Sequence, residues 1–421
     1  MKVLALSNLY PPDFIGGYEL ACADVVDALR DRGHDVRVLT AAPRLPVESP
    51  PHVLRRLKLI DEWSENGMGM SPFAFRRDEA ESRLVSAYNV HALSTVLDEF
   101  QPDVVYVCAI TGLGGFGLMA CLQFLDIPWV WQLGDRVPHH LCSTRQRVIP
   151  GLADAFSQHI RGHYIVVSDQ LRREIEVGGI KLQGHVETIP NWITGTCGPN
   201  QRSFYRGGHL RIMSAGQVAR WKGTDVLIEA AARLRDAGHD DFSVHIYGKV
   251  HQPDLASLIH SLHLSDHVIL QGVLPHKLLL ESYREYDLFA FPTLEREPFG
   301  LVPLEALARG CVPIISRRCG IAEWLVHGVH CLKAERTPES FARAFAEVIE
   351  RRIDLQPLAR RGATAAWRDF HLDAILPRIE RLLVRAASQA KGIAGSAHDA
   401  YRLARMAEQL TASLIEEAIA A

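Results

Sequence analysis

The sequence lacks several features that mark membrane, secreted and disulfide-linked proteins. Nowhere in its 421 residues is there the run of about 18 apolar residues that a membrane-spanning helix requires. The opening segment, Met1–Asn8, has too short an apolar run for a signal peptide, and the eight cysteines form no Cys-x-x-Cys pair. We therefore expect a cytoplasmic protein with free thiols, whose contact with a membrane, if it has one, is peripheral and at the inner face.

Other absences exclude partners and reaction classes. Lys and Arg number 46 against 49 Asp and Glu, a formal net charge of −3, so the basic excess typical of nucleic-acid-binding proteins is missing. No Gly-x-Gly-x-x-Gly follows the first strand of either half, which argues against a nicotinamide-dependent dehydrogenase. No Asp-x-Asp stands at a strand end and metal-type ligands do not cluster, so we expect neither a metal nor another cofactor.

What the chain does have is an alternation of short apolar strands with amphipathic helices. Val3–Ser7 precedes a helix and a second strand, Val36–Thr40, which together make the β-α-β unit of a doubly wound sheet. A second alternating series starts at Leu210–Ser214. Because the chain is also too long for one core, the pattern predicts an α/β fold with two Rossmann-like, doubly wound domains facing across a cleft. The first helix carries apolar residues on one face at helical spacing: Cys22, Val25, Val26 and Leu29.

Composition shifts suggest where the domains end. Residues 195–208 are rich in Gly, Asn, Ser and Arg, so we expect a first domain of residues 1–198 and a second of residues 199–372. Residues 373–421 read as helices that cross back to the first domain, with apolar positions at helical intervals from Leu403 to Leu414.

A basic and apolar segment, Val53–Ile60, has a helix-compatible order of residues. It could rest on an anionic membrane or shape a groove for a substrate. We favour an ordinary, partly buried helix.

The segment around residue 300 is the most informative part of the sequence, because a strand end, a tight loop and a helix follow one another there. Phe299, Gly300 and Leu301 stand where the backbone N–H groups of a helix N-terminus can hold a phosphate or sugar hydroxyls. Glu297 and Glu305 are about two helical turns apart and could accept hydrogen bonds from the two ends of one ligand, such as a nucleotide sugar. On these residues alone, a solvated loop glutamate and a helix-surface glutamate remain the alternative.

Two glycine-containing loops add to this picture. In Gly216–Gly223, after the first strand of the second half, Lys222 and Arg220 could neutralise a diphosphate leaving group, although a basic loop is the simpler interpretation. In the first half, Gly16 and Gly17 would let backbone amides approach a ligand, or form an ordinary turn.

The string Glu297-Pro298-Phe299-Gly300-Leu301, followed by Glu305, resembles the donor-site motif of the retaining glycosyltransferases of family four. These enzymes have the GT-B fold and include bacterial lipopolysaccharide and mannosyl transferases and relatives of glycogen synthase. The resemblance covers most of residues 1–375. It implies that Glu297 contacts the donor sugar, that the Phe299–Leu301 backbone lies near the sugar and phosphate, and that Glu305 binds the ribose hydroxyls.

The resemblance extends to other loops. It implies that residues 1–198 form the acceptor side and residues 199–372 the donor side, and that Lys222 faces the diphosphate. Arg220 would assist Lys222, since Gln217 stands where an arginine is common. The remaining positions that match loops around the donor are Gly16, Gly17, Gly216, Gly248 and Val273.

One departure from the family concerns the strand Trp131–Asp135, where many relatives carry a histidine and this chain has Gly134. The usual histidine contact to the donor sugar is therefore missing. Asp135, or the nearby His139 or His140, could replace it on the acceptor side.

The sequence thus predicts a retaining, metal-independent transferase that moves a sugar from a nucleotide diphosphate donor to a glycan, lipid-linked or natural-product acceptor. The resemblance also implies that the leaving phosphate oxygen takes the acceptor proton on the same face, without a side-chain nucleophile. A GT-B enzyme of another reaction, such as a sugar-nucleotide epimerase or phosphorylase, and a degenerate sugar-nucleotide-binding protein are the alternatives. Glu297, Glu305 and Lys222 argue against both, whereas Gly134 and Gln217 keep the degenerate protein open.

Overall fold

The computed structural model describes six stretches of the chain: residues 1–43, 48–60, 72–144, 147–196, 203–293 and 296–389. The described residues form two compact units. The first consists of Met1–Ile189 with the residues from Leu376 onward, and the second of Pro190–Ile375. The boundary expected at residues 198 and 199 and the apolar repeat from Leu403 to Leu414 lie outside the described stretches.

Seven parallel strands form the sheet of the first unit within its described residues. In sheet order they are β3 (Val53–Leu57), β2 (Asp35–Ala41), β1 (Lys2–Leu6), β4 (Val104–Val107), β5 (Trp129–Leu133), β8 (Arg161–Val166) and β9 (Gln183–Thr188). The short strands β6 (Ser143–Thr144) and β7 (Arg147–Val148) pair with each other. The helices are α1 (Gly17–Asp31), α2 (Pro72–Arg83), α3 (Ala87–Phe100), α4 (Gly115–Phe124), α5 (Val137–Leu141), α6 (Pro150–His159) and α7 (Asp169–Val177).

The central strands of this sheet are buried along their length, as expected for parallel strands with helices on both faces. Every residue of β4 and β5 is buried, which explains why apolar and aromatic residues make up both strands apart from Gln132. The apolar face predicted for α1 is also confirmed, since its four residues lie in the core: Cys22, Val25, Val26 and Leu29.

The helix expected at Val53–Ile60 is wrong, because residues Val53–Leu57 form the edge strand β3. Val53 pairs with Val38 of β2 in a parallel register, and Val38 N–H donates to the carbonyl of His52. A local helical period cannot reveal this hydrogen-bonded neighbour, which lies in another segment of the chain. Because the segment is a strand, its interpretation as a membrane-surface helix is also wrong. Separately, no helix within the described stretches is long and apolar enough to cross a bilayer.

Six parallel strands form the sheet of the second unit within its described residues. In sheet order they are β12 (Val268–Gly272), β11 (Phe242–Tyr247), β10 (Leu210–Ala215), β13 (Leu288–Phe291), β14 (Val312–Ser316) and β15 (Leu332–Ala334). The helices are α8 (Thr224–Asp236), α9 (Asp254–Ser261), α10 (His276–Ser282), α11 (Leu301–Ala308), α12 (Pro338–Ile349) and α13 (Leu355–Asp369).

The order of these strands brings β10 and β13 side by side at the centre of the sheet, although about 70 residues separate them in sequence. Ile212 of β10 pairs with Leu288 of β13. Since both strands are parallel, their carboxyl ends and the loops that follow meet at one edge. Helix α8 covers the strands with its predicted apolar face, whose members are all buried: Leu227, Ala230, Ala231 and Leu234.

The last described helix, α14 (Leu372–Gln389), leaves the second unit and packs on the first. Arg378 donates to Glu187 at 3.0 Å and to the carbonyl of Thr188 at 2.8 Å, at the end of β9. Two residues on, Glu380 accepts from Arg32 at 2.6 Å and lies 2.7 Å from His34. These ion pairs fix the helix to the strands and helix ends of the first unit.

A buried histidine couples the stability of the first unit to pH. His163 of β8 is 4% exposed and its ring lies 5.7 Å from that of His185 on β9. Burial, together with the nearby His185 and Arg385, lowers the pKa of His163 from 6.5 to about 4. The unfolded chain therefore binds more protons than the folded chain between these two values. The contribution of neutral His163 to stability is complete above pH 6.5 and is lost as the pH falls towards about 4.

We expect His163→Gln to flatten the loss of stability across this pH interval, because glutamine does not titrate there. Urea unfolding at several pH values within the interval measures the slope. The matched control is His91→Gln, which replaces an exposed histidine of α3 and should keep the wild-type slope. Identical slopes in the wild type and His163→Gln would contradict the assignment.

Candidate functional site

Two charged side chains meet at the carboxyl edge of the second sheet. Lys222 follows β10 and Glu297 follows β13, and the Nζ of Lys222 lies 2.7 Å from the Oε2 of Glu297. The Glu297 side chain is 15% exposed and that of Lys222 is 36% exposed, so the pair is shielded on one side and open to solvent on the other. Thr293 Oγ1 also donates to Glu297, at 3.4 Å. A cation and a carboxylate are thus held together where a polar ligand can reach both.

The loop after β10 brings Lys222 to this place through a close approach of two backbones. A single 3-10 turn, Arg220–Lys222, ends at Gly223, which has a φ of 76° and caps α8. A Cβ on Gly223 would lie 1.8 Å from the carbonyl oxygen of Pro292, at the end of β13. Only glycine fits both the left-handed φ and the contact, so Gly223 allows the two loops to touch.

The neighbouring loops after β11 and β12 join the same edge. A Cβ on Gly248, after β11, would lie 1.6 Å from the carbonyl oxygen of Gly216. Gly248 N–H donates to the carbonyl of Gly272 at 2.8 Å, and Val273 beyond it is exposed. The structure therefore brings together Gly216, Gly248 and Val273, three of the positions predicted from the sequence.

The segment after Glu297 is fixed by the loop that follows β14. Gly320 N–H donates to the carbonyl of Glu297 at 2.8 Å, and Ile321 N–H donates to that of Phe299 at 2.7 Å. Gly300, with a φ of 102°, then caps α11, whose first residue is Leu301. The predicted residues Phe299, Gly300 and Leu301 consequently form a rigid entry into the helix.

Cys319, in the same loop, is one of seven free cysteines among the described residues. Its Sγ hydrogen-bonds to the carbonyl of Ser316 at 3.1 Å, and burial raises its pKa to about 12. The thiol is therefore protonated near neutral pH and is a poor nucleophile. Among the described residues, no group of three or more His, Cys, Asp or Glu side chains is placed to hold a metal ion.

Glu305 lies inside the unit, so its interpretation as a helix-surface glutamate is wrong. Its side chain is 9% exposed, and its Oε1 lies 2.7 Å from the Nε2 of His276, which is 59% exposed. Tyr283 donates its hydroxyl to Oε2 at 3.2 Å. Burial, and then the charge of Glu305, raise the pKa of Tyr283 well above its usual value. The two oxygens of Glu305 are thus oriented by His276 and Tyr283, and His276 lies on the solvent side.

Arg220 is engaged with carboxylates on its own side of the loop. Its guanidinium forms ion pairs with Asp254 at 2.6 Å and Asp225 at 3.5 Å. The hydrogen bond from Arg220 lowers the pKa of Asp254. Of the two cations predicted to face a diphosphate, Lys222 therefore lies against Glu297, whereas Arg220 is directed to Asp254 and Asp225.

In the first unit, the predicted glycine pair begins α1. Gly16 N–H donates to Glu19 Oε2 at 2.9 Å, so this amide is used in capping the helix, and Gly17 is the first helical residue. Tyr18 follows and reaches the end of β5. A Cβ on Gly134 would lie 2.8 Å from the Oη of Tyr18, so a larger residue at position 134 would require the Tyr18 side chain to shift.

The other predicted residues of the first unit follow Gly134. Asp135 Oδ1 accepts from the N–H of Arg136 at 2.6 Å. The ring of His139, in α5, lies against Gly178 at the end of α7, where a Cβ would be 1.9 Å from its Nε2. The structure thus keeps Asp135 at the strand end but directs His139 towards a neighbouring helix.

Two sequence models of known families match this chain. The Glycosyltransferase Family 4 model matches residues 15–194, and the Glycosyl transferases group 1 model matches residues 201–365. A curated glycogen synthase of Mycobacterium tuberculosis is 26% identical over 386 residues, which is 88% of this chain and 91% of that protein.

Solved structures agree on the fold. Sucrose-phosphate synthase from Thermosynechococcus elongatus matches with a TM-score of 0.66 at 16% identity, over 92% of this chain and 99% of that one. The HepE protein of Anabaena, in complex with UDP-glucose, matches with a TM-score of 0.63 at 16% identity, over 91% and 100% of the two chains.

Two parallel sheets flanked by helices, with a C-terminal helix that returns to the first unit, define the GT-B class of glycosyltransferases. The chain belongs to glycosyltransferase family four, whose members are retaining and metal-independent. It is a nucleotide-sugar-dependent glycosyltransferase. The fold, family and type of reaction expected from the sequence are confirmed, and the family match disfavours an epimerase.

Gly223→Ala should disrupt the site by forcing the two loops apart. Gly238, just beyond α8, offers the matched control, because it also has a positive φ (90°) but no atom within 4 Å of an added Cβ. Gly238→Ala should cost about 1–2 kcal/mol of unfolding free energy from the backbone alone. Gly223→Ala should cost ~2 kcal/mol more, because the Pro292 carbonyl must move. Chemical denaturation measures both, and equal costs would contradict the close approach.

Proposed function

We propose that the second unit binds the nucleotide sugar at the carboxyl edge of its sheet, with Lys222 at the diphosphate and Glu297 at the sugar. The observation that carries this proposal is the 2.7 Å contact between the two side chains. Without a ligand the pair is internally neutralised. A diphosphate would compete with Glu297 for Lys222, and the freed carboxylate oxygen could then accept a hydrogen bond from a sugar hydroxyl.

These residues would contribute to catalysis through electrostatic stabilisation. The anomeric carbon–oxygen bond to the phosphate breaks, a bond to the acceptor oxygen forms on the same face, and the acceptor proton passes to the leaving phosphate oxygen. Negative charge therefore develops on the diphosphate. Lys222 and the N-terminus of α11, which begins at Leu301, supply fixed positive charge to meet it. No side-chain nucleophile takes part, and Arg220 keeps a supporting role through the loop that carries Lys222.

Glu305 is suited to the ribose of the donor. A carboxylate offers about four acceptor positions, and His276 and Tyr283 use one on each oxygen. The remaining positions can accept from the two ribose hydroxyls. Because His276 is exposed and Tyr283 is buried, the ribose would approach from the side of His276. The loops at Gly248 and Val273 would then flank the base through backbone contacts.

The donor class to test first is a UDP-sugar, since the HepE protein of similar fold was solved with UDP-glucose. Gly16 and Gly17 of the first unit remain proposed for the donor, and Asp135 and His139 remain the proposed acceptor side. The acceptor itself is proposed only as a glycan, a lipid-linked sugar or a natural product. We keep the cytoplasm, at or near the inner face of the membrane, as the proposed location.

Lys222→Met and Glu297→Gln should each lower kcat by about 100-fold or more, because each removes a charge that acts in the transition state. UDP-glucose is tried first, followed by other UDP-, GDP- and ADP-sugars. The measurement is release of the nucleotide diphosphate in the presence of a panel of acceptors, with the melting temperature of each variant as the check on folding.

The matched control is Arg206→Met, which breaks an exposed ion pair with Glu285 on the same unit, at the amino ends of β10 and β13. Its turnover should stay close to that of the wild type. Wild-type rates in well-folded Lys222→Met and Glu297→Gln would refute the proposed roles.

A further inference from the structure

Lys222 and Glu297 belong to different loops, so their contact depends on what joins those loops. Most described contacts of the loop after β10 run in the other direction, to the segment after β11. Val218 N–H donates to the carbonyl of Lys249 at 3.0 Å, and Arg220 N–H donates to Gln252 Oε1 at 2.7 Å. The Arg220 ion pair with Asp254 points the same way. None of these contacts sets the distance from Lys222 to Glu297.

Arg336 spans the gap that these contacts leave. Its Nη2 donates to the carbonyl of Arg220 at 2.7 Å, and its Nε donates to the carbonyl of Pro292 at 3.2 Å. Arg220 lies two residues before Lys222, and Pro292 lies five residues before Glu297. One planar guanidinium thus ties the turn that carries Lys222 to the strand end that leads to Glu297.

The backbone around Arg336 is itself held firmly. Thr337 caps α12 by accepting from Ser340 N–H at 3.2 Å, and Glu335 N–H donates to Ser340 Oγ at 3.0 Å. Helix α12 packs against α8, the helix that Gly223 caps. The backbone of Arg336 is therefore fixed in place, and the two hydrogen bonds of its side chain restrain the loop after β10.

We propose that Arg336 is a positioning residue for sugar transfer, which fixes Lys222 relative to Glu297 without touching the donor. This inference rests on the proposed role of Lys222 at the diphosphate. With both hydrogen bonds lost, the loop stays tied to the segment after β11, but Lys222 no longer keeps a fixed distance to Glu297. Small misplacements of a charge that acts in the transition state lower kcat more than they affect folding.

The test compares Arg336→Gln and Arg336→Lys with the wild type by hydrogen exchange and by steady-state kinetics. The amides of Lys222 and Gly223 are hydrogen-bonded to the carbonyls of Ala219 at 3.0 Å and Arg220 at 2.8 Å, so they report directly on the turn. In Arg336→Gln, exchange of these amides should be about tenfold faster and kcat about tenfold lower, with little change in melting temperature. Arg336→Lys should be intermediate, because an ammonium group can reach one of the two carbonyls.

The matched control is Arg361→Gln, since Arg361 also donates to a backbone carbonyl, that of Val329 at 3.3 Å, away from the carboxyl edge. It should leave the exchange of Lys222 and Gly223 and the value of kcat unchanged. Wild-type exchange in Arg336→Gln would overturn the inference, and so would faster exchange with an unchanged kcat. A wild-type protein that turns over no nucleotide sugar would instead refute the proposed function, while the exchange data would still decide whether Arg336 holds the turn.

Discussion

The contact between Lys222 and Glu297 is the interaction on which the arrangement of the carboxyl edge of the second unit depends. It requires that β10 and β13 be neighbours, which the parallel order of the sheet provides. It also requires that two backbones touch, which Gly223 permits. A half-shielded pair of this kind is neutral when the site is empty, yet each partner has an obvious competitor in a nucleotide sugar: the diphosphate for Lys222 and the hydroxyls for Glu297.

Much of the fold could be predicted because buried parallel strands leave a clear pattern in the sequence. Strands such as Val104–Val107 contain only apolar and aromatic residues, and the apolar residues of the helices between the strands recur at helical spacing. The edge strands of the first sheet leave no such pattern. Val53–Leu57 contains two arginines and is a strand only because β2 lies beside it, while Gln183–Thr188 has no buried residue and no apolar run. For these segments, tertiary hydrogen bonds outweigh the local preference.

The residues of the candidate site also include some that could be predicted from the sequence and some that could not. Glu297, Glu305 and Lys222 stand in compact motifs and could be identified by their spacing and resemblance. His276 and Arg336 could not, because their importance comes from contacts between distant parts of the chain: Arg336 bonds to a carbonyl 116 residues away. The glycine at position 134 could be recognised as a departure from the family, but its steric partner, Tyr18, is visible only in the folded unit.

Titration of the protein with UDP alone, in the wild type and two variants, tests most directly whether Lys222 is shared between Glu297 and the diphosphate. Lys222→Met should weaken binding by about tenfold or more, whereas Glu297→Gln should tighten it by a few-fold, because the competing carboxylate is gone. If UDP is not the nucleotide that the wild type binds, the one that binds takes its place. Opposite shifts would support the shared lysine, and equal weakening in both variants, or no change in either, would contradict it.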